Sequence, residues 1–214
     1  MKITTLQVGP ICTNCYILQD ETQKLCAVID PGDEGGRIAD AVQATGSKPL
    51  FILLTHGHGD HTGGIAALER RIPGLPVYIS AAEPVGAVFP SEAMIPSDLF
   101  APLPAGVEVR HYRDGDTLAV GSLTVQVLAT PGHSEGGVSL LVGDALFCGD
   151  TLFAGSCGRT DLPGGSVPKI LSSLGRLGRL EGNLRVYPGH MESSTLDRER
   201  GSNPYLMHAL RTNQ

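Results

Sequence analysis

The amino-acid sequence predicts an α/β protein, a four-layer αββα sandwich of two mixed β-sheets with outer helices. Short β-rich runs come in two series, one in each half of the chain, and each series is followed by a segment with helical spacing. An apolar strand ends at an aspartate in both halves, Val28-Ile29-Asp30 in the first and Phe147-Cys148-Gly149-Asp150 in the second. Residues 50–54 are continuously apolar, as expected of a strand covered on both faces. Two such meanders, each with its own helices, pack as sheet on sheet with the helices outside. The shared plan of the halves fits an ancient duplication.

The elements follow in order. Residues 2–8, 15–19 and 25–30 read as strands, with Asp20-Glu21-Thr22-Gln23 as a hairpin tip. A helix is predicted over 35–45 from Ile38, Ala41, Val42 and Thr45 at helical spacing, closed by Gly46. After the strand at 50–54, residues 63–71 form a helix with Ile65, Leu68 and Ile72 on one side, stopped by Pro73. A strand at 77–80 leads into a Pro-rich segment, 84–104, either irregular or carrying short helices. A second strand series covers 107–111, 118–120, 123–129, 138–142 and 145–148. A helix at 167–180 buries Ile170, Leu171, Leu174 and Leu177; a strand at 184–187 and a short helix at 204–210 complete the chain.

The length of 214 residues predicts one domain, 1–214. With 41% hydrophobic and 18% charged residues and a mean hydropathy of +0.04, the composition is that of a globular protein. No apolar stretch approaches the roughly 20 residues of a membrane helix, and the N-terminus lacks a secretory pattern, so no membrane association and a cytoplasmic location are expected. The net charge of −6 has no basic patch, which argues against nucleic acid as a partner. The odd set Cys12, Cys15, Cys26, Cys148 and Cys157 argues against a disulfide framework. The Cys12-Thr13-Asn14-Cys15 spacing precedes a strand instead of opening a helix, and reads as ordinary thiols.

The chemistry concentrates in LLTHGHGDHTGG, residues 53–64. In extended chain, side chains at i and i+2 point the same way, so His56 and His58 can converge on one ion, while a turn at Asp60-His61 redirects the next two toward a neighbouring point. Other candidates lie just beyond apolar strands: His133 in TPGHSEGG, Asp150 in CGDTLF and His190 in YPGH. These are the places where α/β architectures gather ligands. Imidazole and carboxylate suit zinc, iron or manganese. His111 and His208 have no such company and read as surface residues.

THGHGDH, PGHS, GDTLF and YPGH, in this order, resemble the metallo-β-lactamase superfamily over nearly the whole chain. The resemblance implies the metallo-β-lactamase fold and two divalent metal ions, zinc foremost, with iron or manganese as alternatives. It implies one ion held by His56, His58 and His133, a second by Asp60, His61 and His190, and Asp150 bridging both. GDTLFAGSCGRTDLPGG with TLDRERGSNPYL resembles the glyoxalase II-like branch, which implies a small-molecule substrate, an S-acylglutathione thioester such as S-lactoylglutathione. Full-length glyoxalase II carries a further C-terminal helical domain that supplies part of its glutathione site. CGRTD also resembles persulfide dioxygenases, which use a single iron.

The expected mechanism is thioester hydrolysis by a metal-bound hydroxide, two ions lowering the pKa of a bridging water toward about 7. Asp60 is the expected catalytic residue, orienting the water and shuttling its proton. Asp30 reads either as a partner orienting a metal-binding histidine or as a turn residue before Pro31-Gly32. Arg159 is the expected substrate-binding residue, gripping a carboxylate, with a loop-pinning pair to Asp161 as the alternative.

Overall fold

The computed structural model describes residues 1–83 and 103–212, so nearly all of the Pro-rich segment predicted at 84–104 lies outside the described residues. The first sheet contains β1 (Lys2–Val8), β2 (Thr13–Asp20), β3 (Leu25–Ile29), β4 (Lys48–Leu53), β5 (Val77–Ser80) and β6 (Val109–Tyr112), in that spatial order. The β1–β2–β3 meander is antiparallel and β3 to β6 run parallel. The second sheet contains β7 (Thr117–Val120), β8 (Leu123–Ala129), β9 (Val138–Val142) and β10 (Ala145–Gly149). After a small separate hairpin of β11 (Leu152–Phe153) and β12 (Ser156–Cys157), it is extended by β13 (Arg185–Pro188) and β14 (Ser194–Thr195). β10 and β13 pair in parallel, as β3 and β4 do, with one helix between the strands in each case. These are the two mixed sheets that the sequence predicts.

Period-2 alternation divides the strands among three cores. Along β2 and β3, Ile17 and Val28 face one cluster, whereas Tyr16, Leu18, Ala27 and Ile29 face another between the sheets. Along β10, Ala145 and Phe147 enter that central core while Leu146 and Cys148 point to a third. Both faces of each central strand are therefore covered, which is why residues 50–54 read as unbroken apolar sequence.

The helices close the outer cores. α1 (Gly35–Ala44) and α3 (Ile65–Arg71) bury Ile38, Val42, Ile65 and Leu68 against the first sheet. α4 (Val167–Gly178) buries Ile170, Leu174 and Leu177 against the second and packs on α6 (Pro204–Thr212). Its start is fixed by Ser166, whose hydroxyl accepts from Lys169 N–H, and by Pro168, which needs no donor in the first turn.

Three details depart from the sequence-based expectation. The turn at Asp60-His61 is a helical turn, α2 (Gly59–Thr62), which Gly63-Gly64 separate from α3. The hairpin β11–β12 and strand β14 are two residues per strand, too short to carry periodicity. α5 (Leu196–Ser202) lies in the stretch TLDRERGS, whose buried face includes a glutamate, Glu199. All five cysteines are free, with Cys12 exposed in the β1–β2 turn and Cys15 buried in β2. Among the described residues no helix is long and apolar enough to cross a membrane.

Candidate metal centre

Asp30, His56, His133, Asp150 and His190 each stand a few residues beyond the C-terminal end of a strand: β3, β4, β8, β10 and β13 respectively. The backbone reverses sharply there. Asp30 has φ 50° and Met191 φ 68°, left-handed conformations that Asp tolerates better than Met. Asn14 holds the strained loop: its side-chain amide donates to the carbonyls of Pro188 and Met191, and its backbone N–H to that of Gly189. Tyr16 adds a hydroxyl bond to the Pro188 carbonyl at 2.6 Å.

These loops bring all seven expected ligands together. His56 Nε2 lies 3.0 Å from His58 Nδ1, which lies 2.9 Å from His133 Nε2. Asp60 Oδ2 is 3.4 Å from His61 Nε2 and 3.1 Å from His190 Nε2. Asp150 stands between the two sets: Oδ1 is 3.4 Å from His61 Nε2, and Oδ2 is 3.5 Å from both His133 Nε2 and His190 Nε2. Three donor groups of metal-binding size result: His56-His58-His133, Asp60-His61-His190 and His56-His61-Asp150. Gly189 is indispensable to this convergence, because a Cβ there would lie 2.2 Å from Asp150 Oδ1 and 2.7 Å from the His61 ring.

The outer ring nitrogens fix the tautomers. Thr55 donates its hydroxyl to Asp30 Oδ2 at 2.6 Å, leaving a lone pair for His56 Nδ1–H at 3.1 Å. His61 Nδ1 faces Asp30 Oδ2 at 3.0 Å, and His133 Nδ1 donates to the Arg159 carbonyl at 2.8 Å. With protons on these outer nitrogens, the inner nitrogens of His56, His61 and His133 carry bare lone pairs. Two of those lone pairs face His58 Nδ1, which holds one proton at most, so hydrogen bonding cannot satisfy the set. His61 Nε2 and Asp150 Oδ1, both buried, face each other at 3.4 Å, and among the described residues neither makes a hydrogen bond of good geometry. A cation satisfies both conditions.

Electrostatics agree. Burial, then the neighbouring imidazoles, push His56 well below its ordinary pKa, and burial with His133 takes His58 down to about 3. For His61 burial acts against protonation, yet Asp60, Asp150 and Asp30 raise its pKa well above normal. Burial opposes ionisation of Asp60 and Asp150 too, but His61 holds both below the usual carboxylate range. His56 and His58 keep their lone pairs unprotonated while Asp60 and Asp150 stay negative beside them, the combination that bound cations meet.

A cleft of about 370 Å³ opens beside Asp60, with Val8, Pro10 and Ile11 on one wall and Gly32, Gly59 and Asp33 among the rest. A larger cavity of about 530 Å³, lined by Phe51, Tyr78, His111 and Tyr112 among others, contains none of the seven ligands. His111 and His208 are exposed. The Arg159 side chain is in a bidentate pair with Asp161, both bonds 2.6 Å, and both residues are largely exposed. Asp30 is the orienting partner of a histidine as well as a turn residue. Sequence reasoning missed Thr13, Asn14, Thr55 and Glu83, whose roles rest on contacts between distant segments that no local pattern marks.

A family model described as the metallo-beta-lactamase superfamily matches residues 8–190. The probable metallo-hydrolase YqgX of Bacillus subtilis strain 168 is 36% identical over 213 residues, covering 96% of this chain and 98% of that protein. A hydroxyacylglutathione hydrolase of Gloeobacter violaceus is 36% identical over 177 residues, covering 82% of this chain and 62% of that protein. The chain thus spans under two thirds of that relative's length. Among solved structures, BLEG-1, a B3 metallo-beta-lactamase, matches with a TM-score of 0.81 at 31% identity, covering 96% of this chain and 99% of the other. TTHA1623 in a di-iron-bound form matches with a TM-score of 0.80 at 38% identity, covering 94% and 99%.

Proposed function

Because this chain belongs to the metallo-beta-lactamase superfamily, we propose that it is a dinuclear metal-dependent hydrolase acting on a thioester of the S-acylglutathione class. The observation that carries this reading is the pair of complete donor sets sharing Asp150. His56, His58 and His133 would hold one divalent ion and Asp60, His61 and His190 the other. Imidazole with carboxylate favours zinc, and the same donors accept iron or manganese; the di-iron form of the relative makes iron the chief competitor. Bound there, the ions would supply Lewis acidity and lower the pKa of water toward about 7.

The chain's own groups do the rest. Asp60 Oδ2 accepts from the Thr13 hydroxyl at 3.1 Å, which fixes the carboxylate at the mouth of the cleft. Held below the usual carboxylate range, Asp60 is ionised at neutral pH; it orients the attacking water and, too weak a base to keep the proton, relays it to solvent through the cleft. The thiolate leaving group needs little acid assistance. The Val8, Pro10 and Ile11 wall receives the acyl portion. Arg159 exchanges its Asp161 partner for a substrate carboxylate, which its planar fork matches bidentately. The hydroxyacylglutathione hydrolase relative supports the thioester class, while the B3 metallo-beta-lactamase makes β-lactams the competing one.

The test is the initial rate of S-lactoylglutathione hydrolysis by protein reconstituted anaerobically with zinc, manganese or iron. Turnover with zinc or manganese supports the proposal. Absence of turnover with every metal, at full loading, contradicts the thioester assignment.

A further inference from the structure

We propose that Glu83, which is none of the seven converging residues, is a positioning residue that holds the His56-His58-His133 half of the centre in register. The inference rests on the metal reading above. Glu83 is a carboxylate only 6% exposed. Its Oε1 accepts from Gly57 N–H at 3.0 Å, and its Oε2 from the Ser134 hydroxyl at 3.0 Å and from Gly136 N–H at 2.7 Å. Gly57 lies between His56 and His58, and Ser134 directly follows His133. One side chain therefore ties the loop after β4, in the first sheet, to the loop after β8, in the second.

Packing supports the same assignment independently. A Cβ on Gly136 would lie 2.5 Å from the Glu83 backbone nitrogen and 2.7 Å from the Ala82 carbonyl carbon, and one on Gly57 would lie 3.0 Å from Glu83 Cγ. Both loops are reduced to glycine where Glu83 passes. The distances it sets matter, since His58 Nδ1 sits within 3.0 Å of ring nitrogens from both loops.

Among the described residues every partner of the Glu83 carboxylate is a donor, and two are backbone N–H groups that cannot reverse. A glutamine, whichever way its amide turns, presents an N–H to one of them. The volume is conserved while the clamp is broken on one side, so Glu83→Gln separates positioning from bulk packing.

The experiment titrates metal-free wild type and Glu83→Gln with zinc against a chromophoric chelator. The histidine ring resonances report which half fills, and the melting temperature of the metal-free proteins is measured alongside. The expected result is zinc binding at the His56-His58-His133 half weakened about 10–100-fold, as for other partners of metal ligands. The Asp60-His61-His190 half is expected to titrate as in wild type. Ser134→Ala, which removes one donor and no charge, is expected to weaken the same half by less, and carries the test if Glu83→Gln fails to fold. Wild-type titration by the variants, or equal weakening of both halves, overturns the assignment while two-ion binding by the wild type leaves the metal reading intact. A wild-type chain that takes up no zinc overturns both.

Discussion

Asp30 and His61, 31 positions apart in sequence and both buried, face each other across 3.0 Å, Oδ2 against Nδ1. The same carboxylate accepts from the backbone N–H and the hydroxyl of Thr55, whose hydroxyl in turn faces His56. One buried aspartate thus orients two imidazoles, His61 directly and His56 through Thr55.

Asp30→Asn follows directly. Thr55 N–H keeps the amide oxygen, so the amide nitrogen points at His61 and donates to Nδ1. That moves the His61 proton to Nε2, the atom facing Asp60 and Asp150. The expected outcome is a 10–100-fold loss of metal affinity with no ligand removed, measured by competitive chelation.

Gly189→Ala is expected to act as a ligand deletion although no ligand changes. The added methyl occupies space belonging to Asp150 Oδ1 and His61. Metal content should fall, and circular dichroism should show that secondary structure survives, since Gly189 lies beyond the end of β13.

Asp20 links the turn after β2 to the turn before β8, accepting from Ser122 N–H and hydroxyl and from the N–H groups of Thr22 and Gln23. The Ser122 bonds, backbone first, lower its pKa to about 2. An unfolded aspartate titrates near 3.9, so the folded state binds its proton less readily and gains stability above that value. The gain fades as pH falls from about 4 through about 2. The melting-temperature deficit of Asp20→Asn should therefore be full at pH 6 and gone at the acid end of this window.

Asn203 is fully buried, and its amide donates to the Phe153 and Ser156 carbonyls and to Glu199, while its oxygen accepts from Tyr205 and Leu206 N–H at the start of α6. Asn203→Ala loses a helix cap and orphans buried acceptors, a cost of about 2–4 kcal/mol. Urea unfolding should show it as a lower midpoint with an unchanged slope.

Asn203 also illustrates what was legible in the sequence. TLDRERGSNPYL carries the family resemblance, and the fold uses it to fasten the β11–β12 hairpin through Glu199 and Asn203, a role no sequence spacing displays. Strands such as Leu123–Ala129 and Val138–Val142 were readable because both faces are apolar or alternate cleanly. The helical turn Gly59–Thr62 was not, because its conformation is set by bonds from His61 to His58 and from Gly63 to Gly59 within a glycine-rich loop of low helix propensity. The seven converging residues were readable because they lie in motifs at strand ends. Asn14 and Glu83 were not, because each acts on a loop that only the stacking of the two sheets brings to it, and Thr55 was not, because its partner Asp30 ends the neighbouring strand, 25 positions away.

The most direct measurement is anomalous diffraction at the zinc edge from crystals of zinc-loaded protein. The account predicts two peaks, one among His56, His58 and His133 and one among Asp60, His61 and His190, with Asp150 between them. Asp150→Ala should remove both and His190→Ala mainly the second. A single peak at full loading, or two peaks retained in Asp150→Ala, would contradict the account.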